Sequence, residues 1–256
     1  MHNNSCFIFD LDGTLSEPRK PVVLDFKSLF LKAKRLGAEV CILTGSDIVY
    51  VIEQAKDLLD IEGVRIFCCN GTKEYVYNNG SAFLKTEKSI AETYGNNALR
   101  SIYKILLELQ LDFLNIYDNI SGSFIDYRGS MINWSPSGRS YISGDQRDAF
   151  VAFDKSISYR DNIIKKLNKL FEETDGLDQF VVKLGGDTSF DIHPVGWDKS
   201  CILELFADKN AYFWGDRCFQ SGNDYDIYKK IKKTNRFAVK NPTDAFNSFK
   251  LILEMK

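Results

Sequence analysis

Four short, almost wholly apolar runs constrain this chain more than any other feature: Cys6-Phe7-Ile8-Phe9, Val40-Cys41-Ile42-Leu43, Val64-Arg65-Ile66-Phe67-Cys68 and Ala211-Tyr212-Phe213-Trp214. None alternates polar with apolar, so each reads as a strand covered on both faces, the pattern of parallel sheets flanked by helices. Between the first two runs, Val22, Val23, Phe26, Leu29, Phe30, Ala33 and Leu36 recur at helical spacing, and Gly37 suits the helix end. A further helix is expected over 47–59. Strand, helix, strand, helix, strand predicts an α/β fold of Rossmann-like type, with a parallel sheet and right-handed crossovers.

The rhythm changes after the third run. Tyr75-Val76-Tyr77-Asn78-Asn79-Gly80 reads as a strand entering a hairpin turn. A long helix over about 88–110 follows, then alternation from Phe124 to Trp134 with a turn at Arg128-Gly129-Ser130. Helices over about 146–174 and strands near 179–184 and 188–193 complete this α+β stretch. From Trp197 the first rhythm returns: a helix at 198–207, the Ala211–Trp214 strand, a helix near 224–232, a strand at Phe237-Ala238-Val239 and a last helix at 244–254. The expected organisation is a core made of 1–83 and 195–256, interrupted by an inserted domain at 84–194.

With 256 residues, 44% of them apolar, the chain can bury a sizeable core, and its net charge of −2 points to neither nucleic acid nor an anionic membrane. No apolar stretch is long enough to span a bilayer, and the N-terminal residues lack a signal-peptide pattern. The six cysteines contain no CxxC pair and several lie in apolar runs, which suits reduced core residues of a cytoplasmic protein.

Two carboxylates, Asp10 and Asp12, directly follow the first buried run in Asp10-Leu11-Asp12-Gly13-Thr14. Residues two apart on an extended chain point the same way, so both face the carboxyl end of the sheet, where open α/β sheets bind ligands. Taken alone, such a run can be a turn whose Asp side chains bond the backbone. About 200 residues later, however, Asp216 and Asn223-Asp224 again follow an apolar strand. Parallel strands bring these groups together, and clustered carboxylates repel one another unless a cation neutralises them. Oxygen donors of this kind indicate Mg²⁺. Thr44 and Ser46, after the second strand, can donate to phosphoryl oxygens, and Lys199 opens the helix before the strand that ends at Asp216. A nucleophilic carboxylate, an acid, hydroxyls, a lysine and a metal site form a phosphoryl-transfer set.

Phe9-Asp10-Leu11-Asp12-Gly13-Thr14-Leu15 resembles the first motif of the haloacid dehalogenase superfamily, and Gly215-Asp216 through Asn223-Asp224 resembles its last. The resemblance makes Asp10 the nucleophile and Asp12 the general acid/base. It implies a metal held by the Asp10 side chain, the Asp12 main-chain carbonyl and Asp216, with Asn223 or Asp224 beside it.

In the inserted stretch, Arg128, Arg139 and Arg147 can grip a phosphate through planar, bidentate pairs, although a solvated surface arginine is the commoner case for any one of them. Ser189 and Asp191 alternate on a strand and can face sugar hydroxyls. Phe124-Ile125-Asp126-Tyr127-Arg128, with Asn133-Trp134-Ser135-Pro136-Ser137-Gly138-Arg139-Ser140, is similar to the eukaryotic-type phosphomannomutases. So is Gly185-Gly186-Asp187-Thr188-Ser189-Phe190-Asp191 through Gly196-Trp197-Asp198-Lys199, and the similarity extends over nearly the whole chain. That resemblance implies a C2-type cap, Arg19, Arg128, Arg139, Arg147, Ser189 and Asp191 as phosphosugar contacts, a hexose 1,6-bisphosphate activator, a homodimer formed through the cap, and mannose 1-phosphate made for GDP-mannose synthesis.

Four departures accompany the resemblance. Thr44 stands where the family usually has glycine, and a threonine there is more typical of the superfamily's phosphatases. Gly129-Ser130 replaces Asn-Gly, and Cys69 replaces Glu. Tyr228-Lys229-Lys230 brings lysine to a stretch where the family has an aspartate for a second cation, so that accessory site is expected to be absent. A sugar-phosphate phosphatase therefore remains the alternative activity.

Overall fold

The computed structural model describes residues 3–139 and 144–254, so Ser140 lies outside the described residues. The chain divides into two compact units, one running up to Glu87 and resuming at Gly196, the other Lys88–Val195.

The first unit is built on a seven-stranded sheet. Its strands are β1 (Ser5–Phe9), β2 (Glu39–Leu43), β3 (Val64–Cys68), β4 (Lys73–Asn78), β5 (Ser81–Glu87), β10 (Asn210–Gly215) and β11 (Arg236–Ala238). Their order is β11-β10-β1-β2-β3-β4-β5. The first five of that series run parallel, and β4–β5 is an antiparallel hairpin added at one edge.

β1 lies in mid-sheet and is buried at every residue, as its unbroken apolar sequence requires. Cys6 and Ile8 face one way, into a cluster with Cys41, Leu43, Phe67, Ile202, Phe206 and Phe213. Phe7 and Phe9 face the other way, where Phe9 stacks on Trp214 at 4.6 Å and meets Phe249 edge-on at 4.8 Å. Helix α1 (Phe26–Arg35) covers that side with Phe26, Leu29, Phe30 and Ala33. Asp25 caps it by accepting the Ser28 N–H at 3.1 Å.

The remaining helices of this unit are α2 (Ile48–Leu59), α6 (Tyr225–Lys230) and α7 (Pro242–Glu254). The segment expected as a helix at 198–207 is a 3-10 helix, Lys199–Phe206, rather than an α-helix. Its apolar spacing, Ile202 and Phe206, does not distinguish i→i+3 from i→i+4 bonding.

The second unit holds a four-stranded antiparallel sheet ordered β6-β7-β9-β8. The strands are β6 (Ile125–Tyr127), β7 (Ile132–Trp134), β8 (Phe180–Gly185) and β9 (Ser189–Pro194), accompanied by helices α3 (Ile90–Leu114), α4 (Gly144–Ile157) and α5 (Tyr159–Glu173). The long helix expected from position 88 is interrupted: Gly95 has φ 79 and ψ 165, a conformation open to glycine because it lacks a Cβ.

Among the described residues no helix is long and apolar enough to cross a membrane.

Candidate active site

Asp10 is the first residue past β1, and its N–H continues the ladder by donating to the Trp214 carbonyl at 2.9 Å. Asp10 is 5% exposed, and its Oδ1 accepts from Lys199 Nζ at 2.5 Å. Lys199 is fully buried and donates also to Asp224 Oδ1 at 2.7 Å. The other Asp224 oxygen accepts the Arg217 N–H at 3.0 Å. Carboxylate oxygens of Asp10, Asp216 and Asp224 lie within 4.8 Å of one another. The structure thus gathers Asp10 and Asp216 from just past β1 and β10, Lys199 from the start of the 3-10 helix and Asp224 from the residue before α6.

Two glycines permit this crowding. A Cβ at Gly13, whose φ is +86, would stand 2.4 Å from Asp216 Oδ2, and one at Gly215 would stand 2.6 Å from Asp224 Oδ2. Two buried oxygens have no hydrogen-bond partner among the described residues, Asp216 Oδ1 and Asn223 Oδ1, the latter on the residue before Asp224. The Thr14 hydroxyl is likewise without one.

Asp12 is held by two donors, the Arg19 N–H to Oδ1 at 2.9 Å and the Ser46 hydroxyl to Oδ2 at 3.4 Å. Thr44 is buried at the end of β2, and its Oγ1 accepts the Ser46 N–H at 3.0 Å. That leaves the hydroxyl proton of Thr44 to donate. The loop carrying both hydroxyls is pinned from β3, where the Cys69 N–H donates to the Ser46 carbonyl at 3.1 Å and the Asn70 N–H to the Thr44 carbonyl at 2.9 Å. Cys69 and Asn70 reach these partners with φ of 50 and 58, a left-handed geometry that costs roughly 1–2 kcal/mol per residue.

Burial pushes the Asp10 carboxyl well above the usual carboxylate range; Lys199 opposes the shift, while Asp224 and Asp216 reinforce it. Burial, aided by Asp224, raises Asp216 to about 6. Burial alone would lower the Lys199 pKa, but the Asp10 and Asp224 carboxylates outweigh it and hold the ammonium above its ordinary value. One buried ammonium therefore faces three carboxylates, with Arg217 Nε near the surface 3.9 Å from Asp216.

The second unit assembles a separate polar row. Strand pairing sets Asp126 level with Asn133, Asn133 with Asp191, and Asp191 with Lys183. Residues level across strands point to the same face. Asn133 Nδ2 donates to Asp191 Oδ1 at 2.6 Å and to Ser189 Oγ at 3.0 Å, while its Oδ1 accepts from Arg139. Arg128 Nε lies 2.9 Å and Arg139 Nη1 3.4 Å from Asp126 Oδ2. Arg128 is buried and Arg139 largely so, unlike solvated surface arginines. Arg128, Arg139, Ser189 and Asp191 therefore belong to one network. Arg147 is held at the β8–β9 turn, with Nη2 on Asp187 Oδ2 at 2.6 Å.

Sequence reasoning assigned no role to Asn133 or Asp126, which knit this row, nor to the Arg217 N–H. Strand register is the missing information in the first case, and a main-chain donor has no sequence signature in the second. Tyr50, whose ring lies 4.1 Å from the Arg19 guanidinium carbon, was also missed.

Among solved structures, the chain is similar to an IMP-bound, N-terminally truncated IMP-nucleotidase from Plasmodium falciparum, with a TM-score of 0.66 and 13% identity, covering 98% of this chain and 68% of that one. It is also similar to SMU.1108c from Streptococcus mutans UA159, with a TM-score of 0.62 and 11% identity over 98% of this chain and 99% of that one. These likenesses support the α/β fold described above, a parallel-rich core sheet interrupted by an α+β unit.

The family described as eukaryotic phosphomannomutase matches residues 27–255. Phosphomannomutase 1 of Dictyostelium discoideum is 32% identical over 247 residues, covering 95% of this chain and 94% of that protein. The phosphomannomutase of Encephalitozoon cuniculi is 33% identical over 94% of this chain and 90% of that protein. The chain belongs to the eukaryotic phosphomannomutase family.

Proposed function

We propose that this chain interconverts mannose 1-phosphate and mannose 6-phosphate through a phosphorylated Asp10, supplying a precursor of GDP-mannose. The observation that carries the reading is the buried Asp10 carboxylate held against Lys199, with Asp12 two residues on and oriented by two donors, in a chain of this family. Residues 1–83 and 195–256 act in this reading as the phosphoryl-transfer core, and 84–194 as the cap that selects the sugar.

The oxygen cluster fits Mg²⁺. Its donors are all hard oxygens, three carboxylates face one buried ammonium, and Asp216 Oδ1 and Asn223 Oδ1 are unpartnered. The Asp10 carboxylate, the Asp12 main-chain carbonyl and Asp216 would hold the ion, with Asn223 and Asp224 beside it. When bound, it would neutralise charge on the phosphoryl oxygens. No second cation is assigned near Tyr228-Lys229-Lys230, where the Lys230 ammonium donates to Ser200 Oγ at 2.8 Å.

The remaining steps belong to protein groups. An Asp10 oxygen attacks a phosphorus of a hexose 1,6-bisphosphate, the activator, and the bond to the sugar oxygen breaks as Asp12 protonates that oxygen. Asp12 then takes the proton from the 6-hydroxyl of mannose 1-phosphate as this oxygen attacks the aspartyl-phosphate. The bisphosphate so formed turns round and returns its 1-phosphate to Asp10. Thr44 donates to phosphoryl oxygens in transfer, as Ser46 does when its hydroxyl turns from Asp12, and Lys199 offsets their charge. Arg19, Arg128, Arg139 and Arg147 hold the phosphate that is not transferred, while Ser189 and Asp191 face sugar hydroxyls.

A homodimer through the cap is supported by an apolar stripe on α3, where Leu107, Leu111 and Leu114 are 55%, 64% and 39% exposed, and by Ile116 at 54% just beyond it. Free rather than bridged cysteines support a cytoplasmic setting.

Thr44 favours one second reading, a sugar-phosphate phosphatase on the same groups, because it places a buried hydroxyl where the family usually has glycine. Phosphorus NMR separates the two. With mannose 1-phosphate, Mg²⁺ and catalytic glucose 1,6-bisphosphate, the mutase yields mannose 6-phosphate without free phosphate. Steady release of inorganic phosphate would establish the phosphatase instead.

The acidic cluster also predicts a pH-dependent metal effect. Without a cation, Asp216 titrates at about 6 in the folded chain against 3.8 ordinarily. The folded state therefore binds more protons across that window, and stability falls as pH rises through it. Mg²⁺ at about 100 times its Kd adds ~2.7 kcal/mol by mass action. Its increment in Tm is expected to be larger at pH 7.5 than at pH 5, where protons compete for the same oxygens. Melting curves with and without Mg²⁺ at the two pH values check this.

A further inference from the structure

Glu17-Pro18-Arg19-Lys20 forms a turn closed by the Lys20 N–H donating to the Glu17 carbonyl at 3.0 Å. Proline at the second position and a positive φ at the third, +62 at Arg19, match a type II turn, which ordinarily places glycine at that third position. An arginine there is strained, so something beyond the turn must hold it. The neighbour is Tyr50 in the first turn of α2, whose ring centre lies 4.1 Å from the Arg19 guanidinium carbon, a cation–π pair.

The turn type matters for Asp12. Types I and II differ by a flip of the central peptide, whose N–H is that of the third residue. In the observed turn that N–H donates to Asp12 Oδ1 at 2.9 Å, the shorter of the two contacts orienting this carboxylate. Relaxation to type I, which an arginine prefers, would turn the N–H away.

We infer that Tyr50 is a positioning residue for Asp12: its ring anchors the Arg19 guanidinium, keeps the turn in its type II form and so keeps the Arg19 N–H on the carboxylate. The inference rests on Asp12 as the acid/base of the reaction and adds to it a residue that touches neither Asp12 nor a reacting atom.

Tyr50→Phe retains the ring and should leave both turnover and the Arg19 amide unchanged. Tyr50→Ala should lower kcat about tenfold, part of what a positioned acid/base contributes, and speed hydrogen exchange at the Arg19 amide. Arg19→Gly favours type II without an anchor. It should raise KM, and because glycine adopts a positive φ freely it should hold the turn in its type II form without the ring. In that background Tyr50→Ala should have no further effect on kcat. An equal kcat loss from Tyr50→Ala in both backgrounds would overturn the inference, as would an Arg19 amide whose exchange ignores Tyr50. Amide exchange is read without turnover. Activity surviving in Asp12→Asn would therefore sink the acid/base assignment separately from the turn.

Discussion

Asp10→Asn is expected to abolish interconversion, lowering turnover on the order of 10⁴-fold or more, as loss of a covalent nucleophile does. Asparagine has the same shape and still accepts from Lys199, but it offers no carboxylate to attack phosphorus. Lys199 keeps its second partner, Asp224, at 2.7 Å, so the fold should survive. Two measurements belong together: turnover in the coupled direction, and acid-quenched protein incubated with labelled bisphosphate, in which the native chain carries label and the variant none. Turnover within tenfold of the native value, or label retained on the variant, would show that the nucleophile lies elsewhere.

Lys199→Met should act on both stability and rate. The ammonium is fully buried between Asp10 and Asp224. Removing one partner of a buried ion network costs about 3–5 kcal/mol, because the remaining charges are left in low dielectric. At roughly 2–4 °C per kcal/mol for a chain of this size, Tm should fall by about 6–20 °C. The carboxyl shifts should also grow, since Lys199 is the group that opposes burial at Asp10. A larger fraction of Asp10 is then protonated, and a protonated carboxyl is a poor nucleophile. The sign follows for pH as well: carboxyls raised in the folded state favour folding at low pH, so the variant should regain part of its lost stability as pH is lowered. A variant that melts with the native chain at neutral pH and turns over at the native rate would remove Lys199 from the site.

Both residues were legible in the sequence, and the reason is physical. A strand buried on both faces must be apolar throughout, so β1 and β10 stand out, and a carboxylate directly after such a strand is conspicuous. The same logic brought Asp216 and Asp224 to Asp10, because parallel neighbours align their ends. Features fixed by register or backbone angle were not legible. Asp126, Asn133 and Asp191 become neighbours only through strand pairing. Cys69, Asn70 and Arg19 adopt positive φ without being glycine, and no composition rule anticipates that. The 3-10 geometry of Lys199–Phe206 and the break at Gly95 were hidden because apolar spacing reports a face, not the hydrogen-bond pattern beneath it.

The interrupted core has a consequence in time. Asp10 and Lys199 are 189 residues apart. At a synthesis rate of ~5–20 residues per second, the lysine leaves the ribosome roughly 10–40 s after the aspartate. Throughout that interval β1 lacks its β10 neighbour, and one whole row of its backbone hydrogen-bonding groups stays open. A nascent chain of this design is therefore most vulnerable to mispairing until β10 has been made, and the phosphate-handling groups become complete only once Asp224 has followed it.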